Sequence, residues 1–147
     1  MTAEQQLKGF IDRFTPEHQR VIRGARRILR RRFPGAFELV YDNYNLFVIG
    51  YGPSERPGAA WFSIAAAANG VGFCFLHGAR LPDPEKLLLG SGKQTRFIRL
   101  ESAEVLERPA VIALIEATVA NSAVKLPANA RGSLVIRSIS AKQRPRR

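Results

Sequence analysis

The sequence predicts an α+β domain, in which helices at both ends of the chain pack against an antiparallel β-sheet. Two amphipathic helical segments come first, several β-like segments follow one another, and a helix and a last strand complete the pattern. A chain of 147 residues fits one domain. We expect that domain over residues 1–140, with a basic, flexible tail over residues 141–147.

Local signals define the two N-terminal helices. Apolar residues at positions 7, 10, 11 and 14 have helical spacing and predict a short helix over residues 4–14. Thr15 is a suitable N-cap and Pro16 suits a first helical position, so a second helix is expected over residues 16–31. Phe33-Pro-Gly ends that helix.

The middle of the chain has β character. Strands are predicted over residues 37–41, 46–51, 59–68, 71–77 and 95–100, with a last strand over residues 133–139. Asn69-Gly70 is the strongest hairpin signal. A single helical turn is expected over residues 82–88, and Pro109 begins a helix that ends near Asn121.

The net charge of +11 comes from two places. Seven arginines and no acid lie between His18 and Phe33, and the C-terminal six residues add four more cations. A surface of this kind attracts polyanions, so one hypothesis is a nucleic-acid-associated protein. Its candidate contacts on the second helix and the tail are Arg20, Arg23, Arg26, Arg27, Arg30, Arg31, Lys142 and Arg144. The alternative is a solvated helix face with a solubilising tail.

The preferred hypothesis, to which nucleic-acid binding is the alternative, is a non-enzymatic binding domain for a small ligand, metal or protein partner. Its candidate residues on one sheet surface are Glu38, Tyr41, His77, Asp83, Lys93 and Arg96. Glu38 is expected on the solvent face of its strand, and Asp83 is expected to cap the turn that follows it.

The Gly90-Ser-Gly-Lys93 segment does not satisfy the nucleotide-loop pattern, because Leu87 and Gln94 occupy two required positions. We expect its glycines to form a tight turn, with a weaker anion site at Lys93 and Arg96 as the alternative.

The sequence does not decide whether the protein is an enzyme. No catalytic motif is visible, and an enzyme would need a titratable pair such as His77 with Asp83. Cys74, the single cysteine, is expected to be a buried apolar residue. The absence of a leader-like or membrane-spanning segment and of any possible internal disulfide predicts a cytosolic protein. Oligomerisation stays open.

Two segments resemble a known family. They are Phe33-Pro-Gly-Ala-Phe-Glu38 followed by Tyr41, and FLHGARLPDPEKLLLGSGKQTRFIRLES over residues 75–102, with a helix after them. Together they resemble the YdhG-like domain family, small bacterial proteins mostly of unknown function. The resemblance covers about residues 4–120, and its most specific part joins LPDP, GSGK and Arg96. It implies a compact α+β fold with a curved antiparallel sheet.

One branch of that family is described as frataxin-like, with a proposed role as an intracellular iron chaperone. A frataxin-type surface is an acidic ridge, whereas the first helices here carry arginines and the acids Glu38, Asp42, Asp83 and Glu85 are scattered along the chain. Asp-Asn-Tyr-Asn also follows Tyr41, where the family more often has a Gly-Met-Pro-like turn. These departures argue against iron delivery, and the sequence indicates no metal-ligand set and no cofactor; whether a metal binds stays open.

Overall fold

The computed structural model describes residues 1–147 and contains three α-helices and six β-strands. The helices are α1 (Ala3–Asp12), α2 (Pro16–Arg32) and α3 (Pro109–Ala120). The strands are β1 (Phe37–Asp42), β2 (Phe47–Gly52), β3 (Phe62–Ala67), β4 (Gly70–Phe75), β5 (Arg96–Arg99) and β6 (Leu134–Ile139). Short 3₁₀ turns lie at Pro57–Ala59, Gly78–Arg80 and Ala103–Glu107.

The strands form one mixed sheet in the order β5-β4-β3-β2-β1-β6. Strands β1 to β5 pair with their neighbours in antiparallel fashion, whereas β6 pairs with β1 in parallel. The α+β class is confirmed, and the expectation of a wholly antiparallel sheet is corrected at β6. After β5 the chain passes through α3 and returns to the edge of the sheet beside β1, where β6 runs in the same direction as β1. Parallel neighbours require a long crossover connection of this kind.

One face of the sheet is covered by the helices and the other is not. Glu38, Tyr51, Phe62 and Phe75 are register partners in one row across four strands, and this row lies on the covered face with the aromatic core. The opposite face carries small residues on β3 and β4, including Cys74, which is half-buried, and larger ones on the strands to either side, such as Leu39 and Phe97. Burial raises the pKa of the Cys74 thiol, although a hydrogen bond with Ser63 opposes this effect.

The local signals in the sequence mark the observed boundaries closely. Thr15 caps α2 by accepting a hydrogen bond from the His18 amide at 3.3 Å. The hairpin between β3 and β4 is present, but Ala67 pairs with Gly70, so its turn is centred one residue earlier than the Asn-Gly pair. None of the helices combines the length and the apolar character needed to span a bilayer.

The C-terminal tail packs against the domain instead of extending into solvent. Arg146 is only 3% exposed, and its Nη2 lies 3.0 Å from Oδ1 of the buried Asp42. Gln143 Nε2 donates to Asp42 Oδ2 at 2.8 Å, and Arg147 Nε donates to the Arg13 carbonyl at 3.1 Å. A buried carboxylate needs a counter-charge and donors. The tail supplies both, which corrects the expectation of a flexible segment.

Candidate functional site

The six candidate ligand-binding residues do not form one surface. Glu38 and Tyr41 lie on opposite faces of β1, because their side chains are three residues apart on a strand. His77 follows β4, which is three strands away from β1, or about 14 Å at the usual strand spacing. Asp83 and Lys93 belong to the connection that leads into β5, and Arg96 is the first residue of that strand. Glu38 and His77 line different cavities.

Glu38 lies on the helix-covered face, contrary to the expectation that it faces solvent. Its side chain is 7% exposed and accepts two hydrogen bonds from Arg26, from Nε at 2.9 Å and from Nη2 at 3.0 Å. The Tyr51 hydroxyl donates a third bond at 2.7 Å, and Arg26 also bonds Glu4 at 2.7 Å. Burying a carboxylate is costly unless it is paired, and Arg26 of α2 provides the pair.

The same contacts shift the pKa values of Arg26 and Tyr51. Burial alone would lower the pKa of Arg26, but the hydrogen bonds with Glu38 and Glu4 raise it above its ordinary value. Burial, followed by the charge of Glu38, raises the pKa of Tyr51 well above its usual range. Glu38 is therefore a structural anchor between α2 and the sheet, and its oxygens are engaged by the protein itself.

The connection before β5 is held by its own side chains. The Asp83 carboxylate accepts hydrogen bonds at 2.9 Å from the backbone amides of residues 87 and 88. This confirms its capping role, although the segment forms an isolated turn and not a helical one. Gly90 has a φ of +113°, as expected for a tight turn. Arg96 Nη1 donates to the Thr95 carbonyl at 2.9 Å, while Lys93 is exposed.

His77 contributes to a cavity of about 490 Å³, which we call the Trp61 cavity. Three segments form its wall: residues 56–61 before β3, residues 77–81 after β4, and residues 118–124 at the end of α3. Trp61 is one of its lining residues, is 2% exposed, and has its ring centroid 5.6 Å from that of Phe33. The rest of the lining mixes apolar residues such as Leu81 and Val124 with polar ones.

The charged groups of the Trp61 cavity are all basic. Arg56, His77 and Arg80 are exposed side chains in its wall, and no Asp or Glu lines it. Neither arginine has a carboxylate within 4.0 Å. The hydroxyls of Thr118 and Ser122 donate to main-chain carbonyls at 2.9 and 2.7 Å. The three basic side chains thus remain free to bind an anion.

Sequence reasoning missed Arg56, Trp61 and Arg80. The available signals were the exposed loop over residues 52–58 and the position of the single tryptophan at the start of a strand. Neither signal indicates a site, because the loop and His77 become neighbours only through the pairing of β3 with β4.

The structure also separates the arginines of α2 by their partners. Arg23 lies 2.6 Å from Asp12, Arg26 bonds Glu38 and Glu4, and Arg32 lies 3.7 Å from Glu116. Arg30 makes only long contacts, at 3.8 Å to Glu38 and 3.9 Å to Glu4. The arginines of α2 without a carboxylate partner are Arg20, Arg27 and Arg31. In the tail, Lys142 is exposed and Arg144 lies over the Tyr44 ring at 5.6 Å.

No three His, Cys, Asp or Glu side chains converge in the structure in a way that could hold a metal ion. Comparison of the chain with protein-family models, with curated proteins and with solved structures found no match. The resemblance to the YdhG-like family thus stays a prediction from the sequence.

Proposed function

We propose that this protein is a binding domain for a small organic anion, which it holds in the Trp61 cavity. The observation that supports this proposal is the charge of the wall, where Arg56, Arg80 and His77 are free of carboxylate partners. A volume of about 490 Å³ also lies within the range of natural ligand pockets.

The two kinds of wall residue suggest how a ligand is held. An apolar body would pack against Leu81, Val124 and the edge of Trp61, where it leaves water. A carboxylate or phosphate would accept hydrogen bonds from Arg56 and Arg80, whose planar guanidinium groups suit bidentate contacts. His77 adds a further donor, and a full positive charge when it is protonated.

The charge of the wall favours an organic anion over iron. A cation would be repelled by the two guanidinium groups, and the cavity offers it no carboxylate ligand. The Thr118 and Ser122 hydroxyls in the same wall donate to main-chain carbonyl oxygens, so neither is set up as a nucleophile with a histidine base. These contacts support binding as the activity to test first.

Trp61 gives a direct assay, because it is the only tryptophan of the chain. We would titrate the protein with benzoate and with its uncharged counterpart benzamide, following tryptophan fluorescence and amide NMR shifts. Benzoate is expected to bind more tightly, and R56Q/R80Q is expected to weaken it by about tenfold or more, since a charge-assisted hydrogen bond contributes about 1.5–3 kcal/mol.

The control variant is R108Q/R137Q, which removes the same charge from two exposed arginines outside the cavity. It should leave benzoate binding unchanged. Equal affinities for benzoate and benzamide, or equal losses in the two variants, would contradict the proposal.

A further inference from the structure

Arg20, Arg27 and Arg31 lie along one side of α2. At 100° per residue, these three positions fall within an arc of about 40°, and they extend over about 16 Å of the helix axis. All three side chains are exposed and have no carboxylate partner. We call this surface the α2 arginine stripe.

We propose that the α2 arginine stripe binds the phosphate backbone of double-stranded nucleic acid without reading its sequence. A guanidinium group that no carboxylate of the protein neutralises can replace the counterions of a phosphate, whereas a guanidinium that is already paired contributes less binding free energy. Arg23 and Arg26, which pair with Asp12, Glu4 and Glu38, are therefore outside the proposed contact set. Arg146 of the tail is outside it too, since it is bound to Asp42.

The surroundings of the stripe favour duplex nucleic acid over other polyanions. No large exposed apolar residue lies on α2, so the helix has nothing to insert into a membrane interface. The stripe also has no exposed aromatic ring on which unpaired bases could stack, as single-strand binders need. A rigid row of charges on a helix matches a surface that presents phosphates at fixed spacing.

The two ends of the stripe differ in their surroundings. Beside Arg27 and Arg31, a groove of about 530 Å³ between α1 and α2 has one acid, Glu4, among several basic residues. Beside Arg20 and Arg27, the groove on the other side of α2 is lined by three carboxylates that form no ion pair: Glu17, Glu101 and Glu104. Arg27 therefore borders both grooves, whereas Arg20 borders only the acidic one and Arg31 only the basic one. Arg31 should therefore contribute most to phosphate binding and Arg20 least.

The test is fluorescence anisotropy of a labelled 20-base-pair DNA duplex, titrated with the intact protein at several salt concentrations. Three phosphate contacts predict a log–log salt slope of about −2.7, which corresponds to a loss of about 40-fold in affinity between 50 and 200 mM salt. R27Q/R31Q should reduce the slope to about −0.9, whereas R20Q should change it by at most about 0.9. The charge-matched R108Q/R137Q variant should keep the full slope.

Several results would overturn the proposal. One is equal loss of slope in R27Q/R31Q and R108Q/R137Q, which would mean that only the net charge acts. Another is the absence of duplex binding at 50 mM salt. Binding to phosphatidylserine vesicles but not to the duplex would also contradict it, and would show that the stripe binds anionic membranes. These residues are distinct from those of the Trp61 cavity, so failure here leaves the proposed ligand site untouched.

Discussion

Replacing Arg146 with alanine tests whether the tail is part of the folded domain. In the structure the side chains of Arg146 and Asp42 are each 1% exposed, and their ion pair measures 3.0 Å. The Arg146 guanidinium also lies 6.0 Å above the Phe14 ring, which belongs to the core. Loss of Arg146 therefore removes the closest positive charge from a buried carboxylate.

The expected magnitude follows from the remaining contacts. Removing one partner of a buried ion pair typically costs about 3–5 kcal/mol. Here Arg13 Nη1 at 3.3 Å and Gln143 Nε2 at 2.8 Å still contact Asp42. In addition, Nε and Nη1 of Arg146 are buried without partners, a cost that the substitution relieves. We therefore expect a loss of about 2–3 kcal/mol in the free energy of unfolding.

Urea unfolding followed by Trp61 fluorescence measures this loss. For a typical urea slope, the midpoint should fall by about 1 M or more. Arg144→Ala is the matched control, because its contact with Tyr44 is exposed and contributes about 0.5–1 kcal/mol. Adding Asp42→Asn to Arg146→Ala should restore part of the stability, since it removes the uncompensated charge. Equal midpoints for the two single arginine variants would refute the packed tail.

Three further predictions concern the core. Gly24→Ala should destabilise the protein by about 1–2 kcal/mol in thermal unfolding, because a Cβ at position 24 would lie 2.7 Å from the Ala103 Cβ and the overpacking outweighs the helix-propensity gain. A melting temperature below that of the wild type is expected, and a higher one would show that α2 and the 3₁₀ turn at Ala103–Glu107 can move apart. Tyr51→Phe should cost about 1–2 kcal/mol in urea unfolding, because its hydroxyl bonds the buried Glu38 at 2.7 Å. Burial raises the pKa of Tyr51 in the folded protein, so the unfolded chain loses the phenol proton at a lower pH than the folded one does. The free energy of unfolding should therefore fall as the pH rises above about 10. Stability measured from pH 8 to 11 should show this fall in the wild type and less of it in Tyr51→Phe.

The elements whose signals are local were predicted well. Helix α2 begins at Pro16 as expected and ends at Arg32, one residue beyond the prediction, because its cap and its terminating Pro-Gly lie within a few residues of its ends. The strands follow their alternation in the same way. The parallel pairing of β6 with β1 has no local signal, because it depends on where the connection through α3 leads.

The candidate site was predicted only in part. His77 was named from the sequence, but its neighbours Arg56 and Arg80 were not, since they come from two loops that meet through the strand order. Glu38 was also named, and the structure shows that its charge is already neutralised by Arg26. A sequence indicates which side chains can ionise, but not which opposite charge lies beside them.

The amino-acid sequence by itself determined the secondary structure elements, the α+β class and the concentration of charge on α2. Helical periodicity, capping and turn chemistry act over a few residues and can be read along the chain. Only the tertiary structure decided that Arg27 and Arg31 are unpaired while Arg26 is not, and that the tail is bound by Asp42. The physical reason is that ion pairs and cavities depend on distances between residues far apart in sequence, and only the packed sheet and helices set those distances.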